Sequence, residues 1–226
     1  KSFVNPVLEI TDIADRVFKA GGKALLFENT GTRFPLLINA FGSGKLISLA
    51  LSQTDISSAA AEIEKIPGLL TRKHASLLNK ISALPKRLEL SKFLPATSRK
   101  KGKCQQIVIN DPDLSIFPVL KCWPHDGGRF FTLPMVHTSD PETGATNVGM
   151  YRIQILNAST AAMHWHRHKT GAKHFEAWKK KKCRMPVTVT LGGDPVYAYS
   201  ATAPLPENIN EYILAGFLRK KKVRLV

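Results

Sequence analysis

The densest run of groups able to do chemistry is His164-Trp165-His166-Arg167-His168-Lys169, where three imidazoles alternate with an indole and two cations. On a strand, residues 164, 166 and 168 share one face and 165, 167 and 169 the other; on a helix only His164 and His168 align. Three histidines on one face could bind a metal or line an anionic pocket. A solvated basic strand is the plainer reading, and composition alone favours it. Upstream, Thr146-Asn147-Val148-Gly149-Met150-Tyr151-Arg152 sets an arginine inside an otherwise apolar stretch. An unpaired guanidinium is costly to bury, so Arg152 is expected to meet an anion or a carboxylate, either a ligand's or that of a structural salt bridge. Glu211 opens an apolar helical stretch, where a first-turn acid is favourable with no further role. Gly42-Ser43-Gly44-Lys45 has the look of a phosphate loop, but Asn39 stands where that loop needs Gly and Leu46 where it needs Ser or Thr. A plain Gly-rich turn is expected there.

These groups need a scaffold, and the chain supplies two kinds. Its first hundred residues alternate strand and helix signals. Val7-Leu8-Glu9-Ile10 reads as a short strand; Thr11 or Asp12 caps a helix running through Ala20 to Gly21-Gly22. Ala24–Phe27 and Pro35–Ile38 are compact apolar runs suited to buried strands, joined by the turn-rich segment 28–32. From Asp55 the period is helical, with Ile56, Ala59, Ala60, Ile63 and Ile66 apolar. Pro67-Gly68 is expected to end that helix, and a second apolar stretch runs from Leu69 to about Leu84. Residues 85–105, with Pro85, Pro95, Gly102 and a basic run, read as a linker. Beyond it strands dominate: Gln106–Ile109, then Val148–Leu156 with Tyr151, Ile153 and Ile155 on one face, then the β-branched run Pro186–Leu191. Helices are expected over Ala172–Lys180 and from about Asn210. The fold class is α+β: an N-terminal α/β domain over 1–105, linker included, and an antiparallel β domain over 106–226, partly closed as a barrel.

Composition sets bounds. With 43% hydrophobic and 22% charged residues the chain is globular in make-up and able to bury a core. No run approaches the roughly 18 apolar residues of a membrane helix, and residues 1–6 lack a secretory signal's apolar segment. A cytoplasmic protein with at most peripheral membrane contact is expected. Cys104, Cys122 and Cys183 form no CxxC pair, so they read as free thiols rather than a zinc or redox site. The formal charge of +16 would suit phosphate neutralisation on nucleic acid. Its basic residues fall instead in three short runs, at 99–103, 179–182 and 220–222, which suit solvated loops better than one groove. Of the aromatics, only Trp178 adjoins such a run, where stacking on bases would call for interleaved rings. No nucleic-acid partner is expected.

Read together, the segments resemble the UbiD family of decarboxylases. The resemblance lies in Thr132-Leu133-Pro134-Met135-Val136-His137, Asp140-Pro141-Glu142-Thr143-Gly144 and Asn147–Arg152, followed by Met163–Lys169. It continues through Leu191-Gly192-Gly193-Asp194-Pro195, Ala203-Pro204-Leu205-Pro206 and Glu211-Tyr212 on to Ala215–Arg219, and reaches back to Phe18–Asn29. It thus covers nearly the whole chain, in order and at matching spacings.

The resemblance implies an N-terminal α/β domain and a central flavin-binding split β-barrel, here cut short before the family's C-terminal part. It implies prenylated FMN, supplied by a flavin prenyltransferase, its phosphate held with Mn2+ (or Mg2+) and a monovalent cation, K+. The family's Asn, His and Glu metal ligands fall on Asn147, His168 and Glu211, an oxygen-rich set that suits such ions. Its flavin contacts fall on Met150, Tyr151 and Arg152, on His164, Trp165 and His166, and on Lys169 and Thr170. Many members carry Arg-Trp-Leu where this chain has His-Trp-His, and Arg-Gly where it has Lys169-Thr170. Arg152 matches the catalytic arginine that clamps the substrate carboxylate, a role its planar fork suits. The acidic segment that completes the family's site would fall after Val226, so this chain alone is expected to be inactive. The implied activity is (de)carboxylation of an aromatic or α,β-unsaturated acid, a polyprenylated hydroxybenzoate of ubiquinone biosynthesis being the member type, by a homo-oligomer. The rival readings are a non-catalytic flavin-binding module and a basic nucleic-acid-binding protein.

Overall fold

The computed structural model describes residues 2–69, 91–205 and 209–226. Helix α1 spans Glu9–Lys19, so the strand expected at Val7–Ile10 shrinks to a single bridge between Val7 and Lys121. Leu8 takes a positive φ of 69° and turns the chain into the helix. Thr11 and Asp12 therefore lie inside α1 rather than capping it; Glu9 reaches back to accept the Asn5 N–H at 2.7 Å instead. Ile10 and Ala14, one helical turn apart, are its buried face.

β1 (Leu25–Phe27) and β2 (Leu36–Ile38) are the two strands expected and pair antiparallel with each other, with Leu26 opposite Leu37. They are not fully buried strands: Leu26 and Leu37, paired on one face of this two-stranded sheet, stay 59% and 57% exposed. α2 (Gly44–Ala50) starts on Ser43, whose hydroxyl accepts the Leu46 N–H. α3 spans Ile56–Leu69 and starts with Asp55 accepting the Ser58 N–H at 2.8 Å. Pro67-Gly68 does not end it; the helix runs on, forgoing the hydrogen bond that a proline nitrogen cannot donate. The apolar stretch expected beyond Leu69 lies outside the described residues.

β3 (Ala96–Thr97) pairs in parallel with β10 (Arg224–Leu225) at the far end of the chain. Gln106–Ile109 forms no strand; Ile107 and Val108 are exposed and bonded to no neighbouring strand. The remaining strands make two three-stranded antiparallel sheets. One is β4 (Arg129–Phe131), β7 (Ile153–Ile155) and β8 (Ala161–Met163), in the order β4-β7-β8. The other is β5 (Met135–Ser139), β6 (Thr146–Met150) and β9 (Thr188–Thr190), in the order β6-β5-β9. The α+β class holds. Among the described residues these sheets stay open, with no closed barrel.

The single strand expected over Val148–Leu156 is thus two strands in different sheets, and the chain crosses between them at Tyr151-Arg152. Tyr151 is drawn inward with Val136 and Ile153 into one small core. The histidine run is likewise no strand: β8 stops at Met163, and residues 164–169 are an irregular segment and turn leading into α4 (Thr170–Lys180).

The main core lies where α5 (Pro195–Thr202) and α6 (Glu211–Arg219) pack on β5 and β6. Met135, Val148, Val196, Leu214, Phe217 and Leu218 are all buried there, each worth about 1.5–3 kcal/mol in water exclusion. Asp194 caps α5 through the Val196 N–H and pairs with Arg219 at the end of α6. Arg219 also donates to the Ala50 carbonyl, which ties α6 to the end of α2. Among the described residues no helix is long and apolar enough to cross a membrane.

Candidate functional site

β6 is an edge strand, and its outer backbone groups need partners other than a strand. Val148 donates its N–H to Glu211 Oε2 at 2.9 Å, so the carboxylate takes the place a neighbouring strand would fill. Glu211 is the first residue of α6. That helix is capped by Asn210, which accepts the Tyr212 N–H at 2.8 Å and donates to Thr146 Oγ1 at 3.1 Å. The Tyr212 hydroxyl lies 2.7 Å from His137 Nε2 on β5. The Thr188 carbonyl accepts from His137 Nδ1 at 3.2 Å, so in the neutral ring Nε2 is the acceptor and the tyrosine donates.

A second cluster sets the other wall. The Tyr151 hydroxyl accepts the Gly171 N–H at 3.1 Å, and the Trp165 ring lies against Tyr151 with centroids 4.8 Å apart. Two glycines make room: a Cβ on Gly149 would come within 2.5 Å of the Tyr151 ring, and one on Gly171 within 2.1 Å of Trp165. Gly171 is the second residue of α4, so this packing also anchors the start of that helix.

Between these walls lies a cavity of about 610 Å³ lined by Asn147, Tyr151, His168, Lys169, Thr170 and Glu211, with Met150, Lys173 and His174 beside them. Residues from the N-termini of both α4 and α6 face it. Their dipoles favour an anion there. Asn147 is 8% exposed, yet its Nδ2 finds no hydrogen-bond partner among the described residues. Burial pushes the Glu211 carboxyl up, against the N–H bonds that favour its charge. Burial also pushes the Tyr212 phenol up to about 12, with Tyr197 and Glu211 nearby adding to it. His174 Nδ1 sits 2.9 Å from Thr138 Oγ1; burial lowers its pKa, partly offset by the charge of Asp140. An orphaned amide and a desolvated carboxyl beside two helix N-termini fit a phosphorylated ligand bound with a divalent cation. Among the described residues no three His, Cys, Asp or Glu side chains converge as a metal site by themselves, so oxygen from Asn147 and from a ligand would have to complete one.

The structure thus brings together Asn147, Met150, Tyr151, His168, Lys169, Thr170 and Glu211, and leaves the other expected contacts outside that lining. Trp165 acts through its packing on Tyr151 and Gly171. His164 packs edge-on to Phe130 with ring centroids 5.6 Å apart. His166 is exposed, its ring centroid 5.8 Å from that of His168. Arg152 meets a carboxylate although its side chain stays 39% exposed: Nη2 lies 3.2 Å from Asp126 Oδ2, with the guanidinium 3.6 Å above the centre of the Phe130 ring. Burial raises the Asp126 carboxyl, but the Trp123 N–H and Arg152 outweigh it and hold it low. Sequence reasoning missed Lys173, His174, Asp126 and His137. Lys173 and His174 could have been found, since they stand four residues after Lys169 and Thr170 on one helical face. Asp126 carries no such local signal.

Comparison with known proteins supplies the context. Residues 96–226 match the family model of the 3-octaprenyl-4-hydroxybenzoate carboxy-lyase Rift-related domain, and residues 1–66 that of the same enzymes' N-terminal domain. An uncharacterised protein of Archaeoglobus fulgidus is 41% identical over 229 residues, covering 100% of this chain and 46% of that protein. One from Aquifex aeolicus is 41% identical over 232 residues, covering 100% and 47%. The chain therefore spans about half the length of the curated relatives it matches. Vanillic acid decarboxylase of Sedimentibacter hydroxybenzoicus, in closed form, shares the fold with a TM-score of 0.78 and 24% identity, over 99% of this chain and 46% of that one. An evolved dimeric form of the UbiD-class enzyme HmfF from Pelotomaculum thermopropionicum, solved with prFMN, has a TM-score of 0.77 and 18% identity, over 99% and 47%.

Proposed function

The chain belongs to the UbiD family of 3-octaprenyl-4-hydroxybenzoate carboxy-lyases, and from that premise we propose that it is the cofactor-holding portion of a prenylated-FMN-dependent (de)carboxylase. The observation that carries this reading is the meeting of Asn147, His168 and Glu211, remote in the chain, on one cavity that two helix N-termini face. In it, Asn147, the His168 imidazole and the Glu211 carboxylate would hold Mn2+ or Mg2+ together with the cofactor, and K+ would help balance charge. Lys169, Thr170 and the first turn of α4 receive the phosphate, and Tyr151, braced by Trp165, forms the adjoining wall.

When bound, the prenylated flavin supplies the electron sink for loss of CO2. Arg152, which lies outside the cavity lining with one amino group on Asp126 and its face on Phe130, would bind the carboxylate of the substrate through the rest of its fork. Pairing with Asp126 limits how the guanidinium can turn and so orients the acid. The substrate we assign is an aromatic or α,β-unsaturated acid. Solved structures of similar fold include vanillic acid and 3,4-dihydroxybenzoic acid decarboxylases. A polyprenylated hydroxybenzoate of quinone biosynthesis is the family type. A flavin prenyltransferase supplies the cofactor, and the assembly is a cytoplasmic homo-oligomer.

The test is retention of cofactor. Protein co-produced with a flavin prenyltransferase and Mn2+ should carry the modified flavin, read by its absorbance and by native mass spectrometry. Asn147→Ala and Glu211→Ala should each abolish metal-dependent retention. Undiminished retention in both would overturn the ligand assignment, and salt-sensitive nucleic-acid binding without flavin would favour the rival basic-protein reading.

A further inference from the structure

His137 is the residue of β5 that stands opposite Val148 on β6 and Thr188 on β9 at once. Its two ring nitrogens are both engaged, Nδ1 donating to the Thr188 carbonyl at 3.2 Å and Nε2 accepting from the Tyr212 hydroxyl at 2.7 Å. Its cross-strand partner Val148 donates its N–H to Glu211 at 2.9 Å. Two directly paired residues of the sheet thus grip two consecutive residues of the first turn of α6. A third tie runs from Asn210 to Thr146 at 3.1 Å, on the same strand as Val148. Tyr212 is held from the sides as well, with His137 stacked on its ring and Tyr197 edge-on, at 5.9 Å and 5.6 Å between centroids.

We propose that His137, acting through Tyr212, is the positioning residue for Glu211. The Tyr212 hydroxyl seated on Nε2 fixes the first turn of α6, and so keeps the Glu211 carboxylate on the Val148 N–H at the wall of the cavity. The part of this that concerns metal rests on reading Glu211 as a ligand. A carboxylate already fixed in place loses little side-chain freedom when a cation arrives, and partners behind a ligand commonly decide its affinity. His137 binds no cofactor or substrate in this arrangement; its effect passes through the helix turn.

The deciding measurement is amide hydrogen exchange at Val148 by NMR, on the metal-free chain, with Glu211→Ala marking the rate without the acceptor. Tyr212→Phe removes one hydroxyl and keeps the ring packing; it should speed Val148 exchange by roughly tenfold or more, towards the Glu211→Ala rate. Gln154, in the other sheet, should be unaffected. His137→Leu should do the same, whereas His137→Gln, whose amide oxygen can still accept the tyrosine proton, should stay near wild type. Mn2+ affinity, followed by electron paramagnetic resonance, should fall about 10- to 100-fold in Tyr212→Phe and His137→Leu, and recover in His137→Gln. A wild-type Val148 rate in Tyr212→Phe, or equal acceleration of Val148 and Gln154, overturns the inference. Should the wild-type chain take up no Mn2+, the metal reading of the cavity fails, while the exchange comparison still decides what His137 does.

Discussion

Replacing Gly171 with alanine should destabilise the protein, although alanine is ordinarily the better helix residue. Gly171 is the second residue of α4, where alanine gains about 1 kcal/mol over glycine from helix propensity alone. Against that stands the crowded interior. The new Cβ would lie 2.1 Å from Trp165 Cζ3, 2.9 Å from Cε3 and 3.0 Å from the Tyr151 hydroxyl. Overpacking of this kind costs about 1–3 kcal/mol, and displacing Tyr151 from the Gly171 N–H costs about 1 kcal/mol more. The net loss is about 1–3 kcal/mol, which for a chain of this size lowers Tm by roughly 3–10 °C. Thermal unfolding by circular dichroism measures it, and tryptophan emission should shift as Trp165 is pushed aside. Gly127→Ala is the control, because its Cβ would meet only Gln154 Nε2 at an ordinary 3.5 Å; it should change stability by less than about 0.5 kcal/mol. In a Trp165→Ala background the Gly171→Ala penalty should largely vanish. An unchanged or raised Tm with unaltered emission would refute the claim that Trp165 and Tyr151 are seated on that glycine.

The ion pair of Asp194 with Arg219 joins α5, α6 and the end of α2, so Arg219→Met should cost about 2–3 kcal/mol in chemical unfolding. That is less than a fully buried pair would cost, because a third of the Asp194 side chain meets solvent. Burial raises the Asp194 carboxyl, but its bonds to Arg219 and the Val196 N–H outweigh this and hold it below the usual range. Its stabilising share is therefore complete above about pH 4 and is lost as pH falls through the lowered value. Asp194→Asn should flatten that acid limb of the stability curve. On the proposed function, Arg152→Ala in a chain of the relatives' full length should remove turnover of an aromatic acid and leave Mn2+ binding largely intact; loss of both would show Arg152 to be a packing residue on Phe130.

The elements legible in the sequence were those whose causes are local. The periodicity of Ala172–Lys180 and the apolar run after Asn210 point to α4 and α6 because a helix satisfies its own hydrogen bonds, and Asn210 supplies the cap. The ordered motifs from Thr132 to Arg219 were likewise enough to place the chain in its family, and that resemblance singles out Asn147, His168 and Glu211, which line one cavity. Strands were harder, because a strand exists only by virtue of its partner. Ile107–Ile109 has the composition of a strand and no neighbour to bond; Val7–Ile10 keeps one bridge and becomes helix. Val148–Leu156 is uninterrupted as a sequence, yet β5 claims one half and β4 and β8 the other, so the chain breaks at Tyr151-Arg152.

That break decided the site. It sends Tyr151 inward onto Gly171 and Arg152 outward onto Asp126 and Phe130, separating two neighbours that a continuous strand would have alternated. The sequence by itself determined which residue types were present and marked four of the helices, α1, α3, α4 and α6, whose causes lie in neighbours along the chain, while α2 and α5 carried no such mark. Only the tertiary structure decided that Glu211 would complete the edge of β6, that His137 would hold Tyr212, and that Arg152 would face a carboxylate 26 residues away. Those contacts join residues whose separation along the chain carries no periodic signal: one arises from a backbone N–H at a sheet edge that must find a partner once water is excluded, the other two from polar side chains that the packing brings together.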